Sequence, residues 1–289
     1  MPNQKIEKIT IQDKEYPKLL KEIYDPPQEL FFLGEIKAEE NLPLAIVGTR
    51  KVSNYGKQVT TELSRGLARA GFTIISGLAL GVDGLAHQSA LDVGARTVAV
   101  LGCGLDNIYP PVHKKLAEQI VKSGGAIISE YPPGTMPLKH HFPARNRIIS
   151  GLSLGTLVVE APETSGALIT AKCALEQNRE VLAVPGNIFN QNSFGTNQLI
   201  KLGAKAITKI EDVFEVFNLE PLKNQRKKIE PANEEEKIIL DILSKEPNNI
   251  DEIVKKSNLD AATVNSTLIM MEISGKIKNL GGGNYIINS

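Results

Sequence analysis

The sequence predicts an α/β fold: a doubly wound parallel sheet with a small, separate helical unit behind it. Three observations carry that reading. Short runs apolar on both faces recur through the middle of the chain, each ends in a Gly-rich or polar turn, and helix-type stretches alternate with them. A strand buried on both faces belongs in a parallel sheet covered by helices on each side. Leu44–Val47 comes first, leading into Gly48-Thr49-Arg50 and a periodic segment to Ala70. Phe72–Ile75 leads into Ser76-Gly-Leu-Ala-Leu-Gly81 and a second helical stretch to Val93. Thr97–Leu101 runs into Gly102-Cys-Gly104, and Ala126–Ser129, Thr156–Val159 and Val181–Val184 complete the expected strands. Such sheets bind ligands where the strands' carboxyl ends meet the following loops, which here hold nearly all the glycine.

A length of 289 residues suggests two domains at roughly 150 residues each. Residues 1–42 precede the core, 43–217 form the α/β domain, 218–231 read as a linker with Pro221, Arg226 and Pro231, and 232–289 form the second unit. In that unit Glu234–Leu243 is amphipathic, with acids in its first turn where the helix dipole favours them. Ile250–Lys256 and Asp260–Ser274 are two further helices, the latter capped by Asp260. Lys276–Leu280, the Gly281-Gly-Gly-Asn turn and Tyr285–Ile287 read as a β-hairpin. Three helices followed by a hairpin is the winged-helix order.

Charge and composition narrow the function. Lys plus Arg equal Asp plus Glu at 33 each, which excludes a binder whose whole surface attracts phosphate. By region the net charge is −3 for 1–42, +4 for 43–215 and −1 for 216–289, so any phosphate site is a local arrangement. No apolar run approaches the ~18 residues of a membrane helix, and the first residues lack a signal peptide's apolar core. Cys103 and Cys173 stand far apart, against a disulfide framework or a Cys-based zinc site. The cytoplasm is the default address.

Four stretches hold the unusual chemistry. Gly48-Thr49-Arg50 lets backbone amides and a guanidinium approach an anion, and serves equally as a tight turn before a solvated arginine. Asp83 and His87, four apart on one helix face, are a conceivable catalytic pair but read better as a pair that pins the Ser76–Gly81 loop, because no nucleophile accompanies them. Lys139-His-His-Phe142-Pro-Ala-Arg145-Asn146-Arg147 interleaves three cations with an aromatic ring and has no acid. That pattern suits single-stranded nucleic acid, with the cations on the backbone and Phe142 on a base, or else an exposed loop anchored by a buried Phe142. The adjacent His140 and His141 point apart and give no metal site. Finally, Ser165-Gly166 opens a helix after the strand ending near Glu160, offering free amides to an anion or a plain N-cap. The glycine spacing is neither a dinucleotide fingerprint nor an ATPase P-loop, so no catalytic, cofactor-binding or metal-binding set follows.

Taken in order, these motifs resemble the DprA/Smf family of DNA-processing proteins. The resemblance runs from about Tyr16 to Phe217 through Val47-Gly-Thr-Arg50, Ser76–Asp83, Leu101–Asp106 with Tyr109-Pro110, Ser129–Gly134, Phe142-Pro-Ala-Arg-Asn-Arg-Ile-Ile149, Ser165–Ala171 and Ala183–Gly186. It implies an extended Rossmann-like domain that binds single-stranded DNA, protects incoming strands in natural transformation and loads the RecA recombinase, working as a homodimer. The site it implies comprises Gly48, Arg50, Lys139, Phe142, Arg145, Asn146, Arg147, Ser165, Gly166 and, from helix position, Lys172. It also points to the helix around Thr196–Leu202 as a dimer surface. Two departures stand out. The full N-terminal helical module of many members is not expected in residues 1–42, and His113 replaces the Asn common after the Tyr-Pro pair. The C-terminal unit resembles the family's winged-helix domain, and its −1 charge suits a protein contact at least as well as duplex DNA.

An enzyme on the same fold is the rival. Nucleotide phosphoribohydrolases of similar architecture use P-G-G-x-G-T-x-x-E, and in the comparable Pro162–Thr170 stretch Thr170 replaces the catalytic Glu.

Overall fold

The computed structural model describes residues 5–219, 231–243 and 248–287, and divides into two units, Met1–Glu220 and Pro221–Ser289. The first unit runs β1 (Glu7–Thr10), α1 (Lys18–Lys21), β2 (Glu29–Gly34), β3 (Leu44–Val47), α2 (Asn54–Arg69), β4 (Ile74–Ser76), α3 (Val82–Leu91) and β5 (Thr97–Leu101). It continues with α4 (Lys114–Lys122), β6 (Ala126–Ser129), α5 (His141–Gly151), β7 (Gly155–Val158), α6 (Gly166–Glu176), β8 (Glu180–Ala183), α7 (Phe194–Lys201), β9 (Lys205–Ala206) and α8 (Ile210–Val216).

One nine-stranded sheet has the order β1-β2-β6-β5-β4-β3-β7-β8-β9. The seven strands from β6 to β9 are parallel, and β3, β5, β6 and β7 are buried at every position, as runs apolar on both faces require. From β3 the chain builds outward to β6, then returns to the other side of β3 for β7. The crevice at the carboxyl ends of β3 and β7 is therefore the topological switch point.

One expectation needs correction. Residues 1–42 are not a segment outside the core, because β1 and β2 extend the same sheet through an antiparallel pairing of β2 with β6. Tyr16, Leu20 and Leu30 are buried with Ile128 and Ile148 in one core cluster. The sheet keeps the expected doubly wound, mostly parallel order and gains an antiparallel edge from β1 and β2. An antiparallel edge needs no helical crossover, so the strand–turn–helix rhythm that marks the parallel strands does not announce it. Of the expected linker, residues 220–230 lie outside the described residues.

The second unit contains α9 (Glu234–Leu243), β10 (Asn248–Asn249), α10 (Ile250–Ser257), α11 (Ala261–Ile273), β11 (Ile277–Gly281) and β12 (Asn284–Ile287), with sheet order β10-β12-β11. Ile239, Ile253, Val264, Leu268, Met271 and Ile277 share its core. Asp260 caps α11 by accepting from the amides of Ala262 and Thr263, each at 3.0 Å. The three helices and the hairpin match the expected winged-helix order. Among the described residues no helix is long and apolar enough to cross a membrane.

Candidate nucleic-acid interface

A cleft of ≈ 690 Å³ opens at the switch point. Gly48, Thr49 and Arg50 enter it from the loop after β3, Ser165 and Gly166 from the start of α6, Lys139 from the approach to α5 and Phe142 from the first turn of that helix. Tyr109, from the loop after β5, joins them.

Gly48 lies where chains crowd: a Cβ there would stand 2.5 Å from Val82 Cγ2 and 3.0 Å from the Glu160 carbonyl. The next amide, of Thr49, donates to that carbonyl at 2.8 Å. The buried Glu160 carboxylate accepts from the Ser53 amide at 2.9 Å, the Ser53 hydroxyl and Asn192 Nδ2. Glu160 thus ties the two switch-point loops together.

On that frame stands an exposed Arg50, whose guanidinium carbon is 5.4 Å from the centroid of the half-buried Phe142 ring. On the same ring Tyr109 packs at 5.6 Å with planes 35° apart. Cation, ring and ring make one row, with the exposed Lys139 in the same cleft. The α6 N-terminus is an N-cap, because Ser165 Oγ accepts from the Ala167 amide at 3.3 Å. Gly166 is exposed, and Asn146, held in the wall, donates from Nδ2 to its carbonyl at 3.1 Å.

Arg145 behaves differently from the expectation. Only 4% of it is exposed, and Nη1 donates to the carbonyls of Gly77, at 2.8 Å, and Val100. Asp83, also buried, accepts the Gly77 amide at 3.1 Å and the Ala79 amide at 3.4 Å. The Gly77 residue is gripped from both ends, and a Cβ on it would lie 2.6 Å from Arg145 Nη2. Burial pulls the Arg145 pKa down to about 10 while Asp83 opposes the fall, and burial raises the Asp83 pKa while Arg145 opposes the rise. Arg145 is therefore a positioning residue of the cleft wall, not a free cation. Burial also drives the His87 pKa down to about 3, and its Nδ1 lies 2.7 Å from Thr97 Oγ1. Asp83 pins its loop, but no bond joins it to His87 among the described residues. His113 holds the same loop at the Leu78 carbonyl, 2.8 Å away.

Arg147 and Lys172 also depart from the expected set. Arg147 is paired with Glu130 at 2.7 Å and Asp25 at 3.0 Å, and Lys172 stands exposed beside Glu176 at 3.7 Å. Neither lines the cleft. The structure thus gathers Gly48, Arg50, Lys139, Phe142, Asn146, Ser165 and Gly166, with Arg145 as wall, and leaves Arg147 and Lys172 apart. Tyr109 belongs with the set but is not among the expected contacts. Its signal is its place as the one aromatic residue between β5 and Pro110, at the same end of the sheet as Phe142.

Residues 7–218 match the family model of DNA recombination-mediator protein A, and residues 223–283 match that of the DprA winged helix domain. DNA processing protein DprA of Bacillus subtilis is 48% identical over 213 residues, covering 73% of this chain and 71% of that protein. Protein Smf of Escherichia coli is 41% identical over 276 residues, covering 93% and 74%. Among solved structures, DprA of Streptococcus pneumoniae superposes with a TM-score of 0.69 at 43% identity over 75% of each chain. DNA processing protein A of Helicobacter pylori, solved for its single-stranded DNA binding mode, superposes with a TM-score of 0.66 at 34% identity over 73% of this chain and 96% of that one. Both domain matches, the relatives and the structural superpositions agree, and the chain belongs to the DNA recombination-mediator protein A (DprA/Smf) family.

Proposed function

We propose that this chain binds single-stranded DNA in the switch-point cleft and, as a cytoplasmic homodimer, protects incoming strands and loads RecA on them. The observation that carries the reading is the row Arg50–Phe142–Tyr109, set beside Lys139 and the open start of α6. Arg50 and Lys139 offer charge to successive phosphates, and the amides at Gly166 offer uncharged donors. The half-buried Phe142 and the exposed Tyr109 offer aromatic surface to an unpaired base, worth about 1–3 kcal/mol per stacked base and tolerant of sequence. In a duplex that base face is already covered, so the geometry favours a single strand. The single-strand reading is also that of the Helicobacter pylori relative. Dimerisation through α7 fits its exposed Leu202, which follows a helix anchored by the buried Thr196.

Hydrolysis of nucleotides has little support, because Thr170 stands in the cleft and Asp83 is committed to backbone amides. An anisotropy titration with oligo-dT at several salt concentrations tests the placement. Affinity should fall with a log–log slope near −0.7 per phosphate neutralised, and Arg50→Ala should bind more weakly. Equal affinity of wild type and Arg50→Ala overturns it. RecA filament growth on strands coated with single-strand-binding protein tests loading, and growth at the same rate with and without this chain rejects it.

A further inference from the structure

The twenty residues Val181–Ile200 contain no Asp, Glu, Lys or Arg. Within them the loop after β8 exposes 80% of Ile188 and 90% of Phe189. A hollow of ≈ 520 Å³ is lined by Asn187, Phe189, Asn190, Gln191 and Asn192. Internal bonds fix the loop's shape. Asn187 Oδ1 accepts from the Phe189 amide at 2.9 Å, and Asn190 Oδ1 accepts from the Asn192 amide at 3.0 Å. Asn192 Nδ2 donates to the Lys51 carbonyl at 3.0 Å, and the Asn192 carbonyl accepts from the Ala161 amide at 2.7 Å. Those two bonds fasten it to both loops that frame the cleft.

Asn187 and Asn190 use their carbonyl oxygens within the loop. Among the described residues their side-chain N–H groups, and the whole Gln191 amide, make no hydrogen bond. The loop therefore combines an exposed ring with uncharged donors, beside a site already equipped with cations. An unstacked base is recognised by that combination: ring on ring face, amide on base edge.

We propose that the Asn187–Asn192 loop is a second, charge-free nucleotide subsite for the strand that leaves the Arg50–Phe142 cleft, an inference that rests on the reading of that cleft as a single-strand site. Continuity with the Lys51 and Ala161 loops and the amide-rich lining favour a strand there over a second copy of the chain. Because the subsite neutralises no phosphate, its contribution is independent of salt.

The test uses the full chain and its Phe189→Ala and Gln191→Ala variants, titrated by anisotropy with oligo-dT of increasing length at two salt concentrations, with sedimentation alongside. Phe189 is almost wholly exposed, so its truncation leaves the core intact. Phe189→Ala should match wild type on the shortest oligonucleotides that bind and lose about 5-fold or more on longer ones, with the salt slope unchanged. Gln191→Ala should show a smaller loss with the same length dependence. Wild-type affinity of Phe189→Ala at every length overturns the proposal. A Phe189→Ala protein that sediments as a smaller species also overturns it, assigning the ring to a contact between copies. Arg50→Ala, run in parallel, tests the cleft itself: its equal binding would remove that reading whatever Phe189 does.

Discussion

The α/β unit and the winged-helix unit differ most at one helix each. The approach to α5 carries the exposed Lys139, with the exposed Arg50 facing Phe142 across the cleft, while Arg145 and Arg147 on the helix itself are buried or paired with acids. The third helix of the winged-helix unit, α11, holds no Lys or Arg, and its one charged residue is Glu272. Ile269, Met270 and Ile273 are exposed on it. Duplex binding draws most of its affinity from neutralised phosphates, and α11 brings no charge for that. Two architectures met on DNA thus carry opposite surface chemistry in one chain, and the side chains decide what each does. An exposed apolar face without cations is suited to a protein partner.

The strongest way to sharpen the contrast is Arg145→Met. It leaves Asp83 without its counter-charge and removes the donor that Arg145 supplies to the Gly77 and Val100 carbonyls, a loss of about 3–5 kcal/mol. Urea unfolding followed by a probe in the α/β unit should show it, while Glu272→Met in α11 changes stability by under about 0.5 kcal/mol. An Arg145→Met protein as stable as wild type would return Arg145 to the DNA-contact set.

Acid offers the next largest effect. Burial holds the native His87 pKa at about 3, so the native ring stays neutral while the unfolded ring, near 6.5, takes up a proton. The stability this gives is present above the unfolded pKa and is lost as pH falls towards 3. Between pH 7 and pH 5 the α/β unit should lose about 2 kcal/mol, and His87→Gln should flatten that slope. Unfolding midpoints at the two pH values check it.

In the cleft, Phe142→Ala should cost about 1–3 kcal/mol of single-strand affinity with the salt slope unchanged. Lys139→Ala should reduce the slope by under about one unit. Equal slopes for wild type and Lys139→Ala would place that ammonium away from phosphate.

Much of this arrangement is legible in the sequence. Thr97–Leu101 and Ala126–Ser129 are strands with the expected bounds, and Glu234–Leu243 is a helix with its expected bounds. Their periodicity is local and their turns are chemically distinct. What the chain hides is pairing at a distance. Arg147 reads like Arg50 until Asp25, 122 residues away, is seen to hold it. Arg145 reads as a solvated cation until the carbonyls of Gly77 and Val100, 68 and 45 residues away, close round it. Tyr109 belongs to the cleft only because β5 ends on the same side of the sheet as β3. The β2 strand, Glu29–Gly34, escapes notice because its partner β6 lies beyond three intervening strands of sequence.

The smallest effect expected concerns the second unit. Residues 221–289 have their own core, and no residue of that unit is needed for the sheet order or the cleft lining described above. A chain ending at Glu220 should therefore fold and should bind oligo-dT within about twofold of the full chain, with the same salt slope, because the cations that release counterions lie in the α/β unit. Duplex affinity should likewise be unchanged, since α11 adds no phosphate contact. Loss of a protein partner, without loss of strand binding, is the phenotype this division of labour predicts. A drop in duplex affinity and in its salt slope on truncation would instead put the basic residues of 221–289 on DNA, and the contrast between the two helices would no longer describe how the chain divides its work.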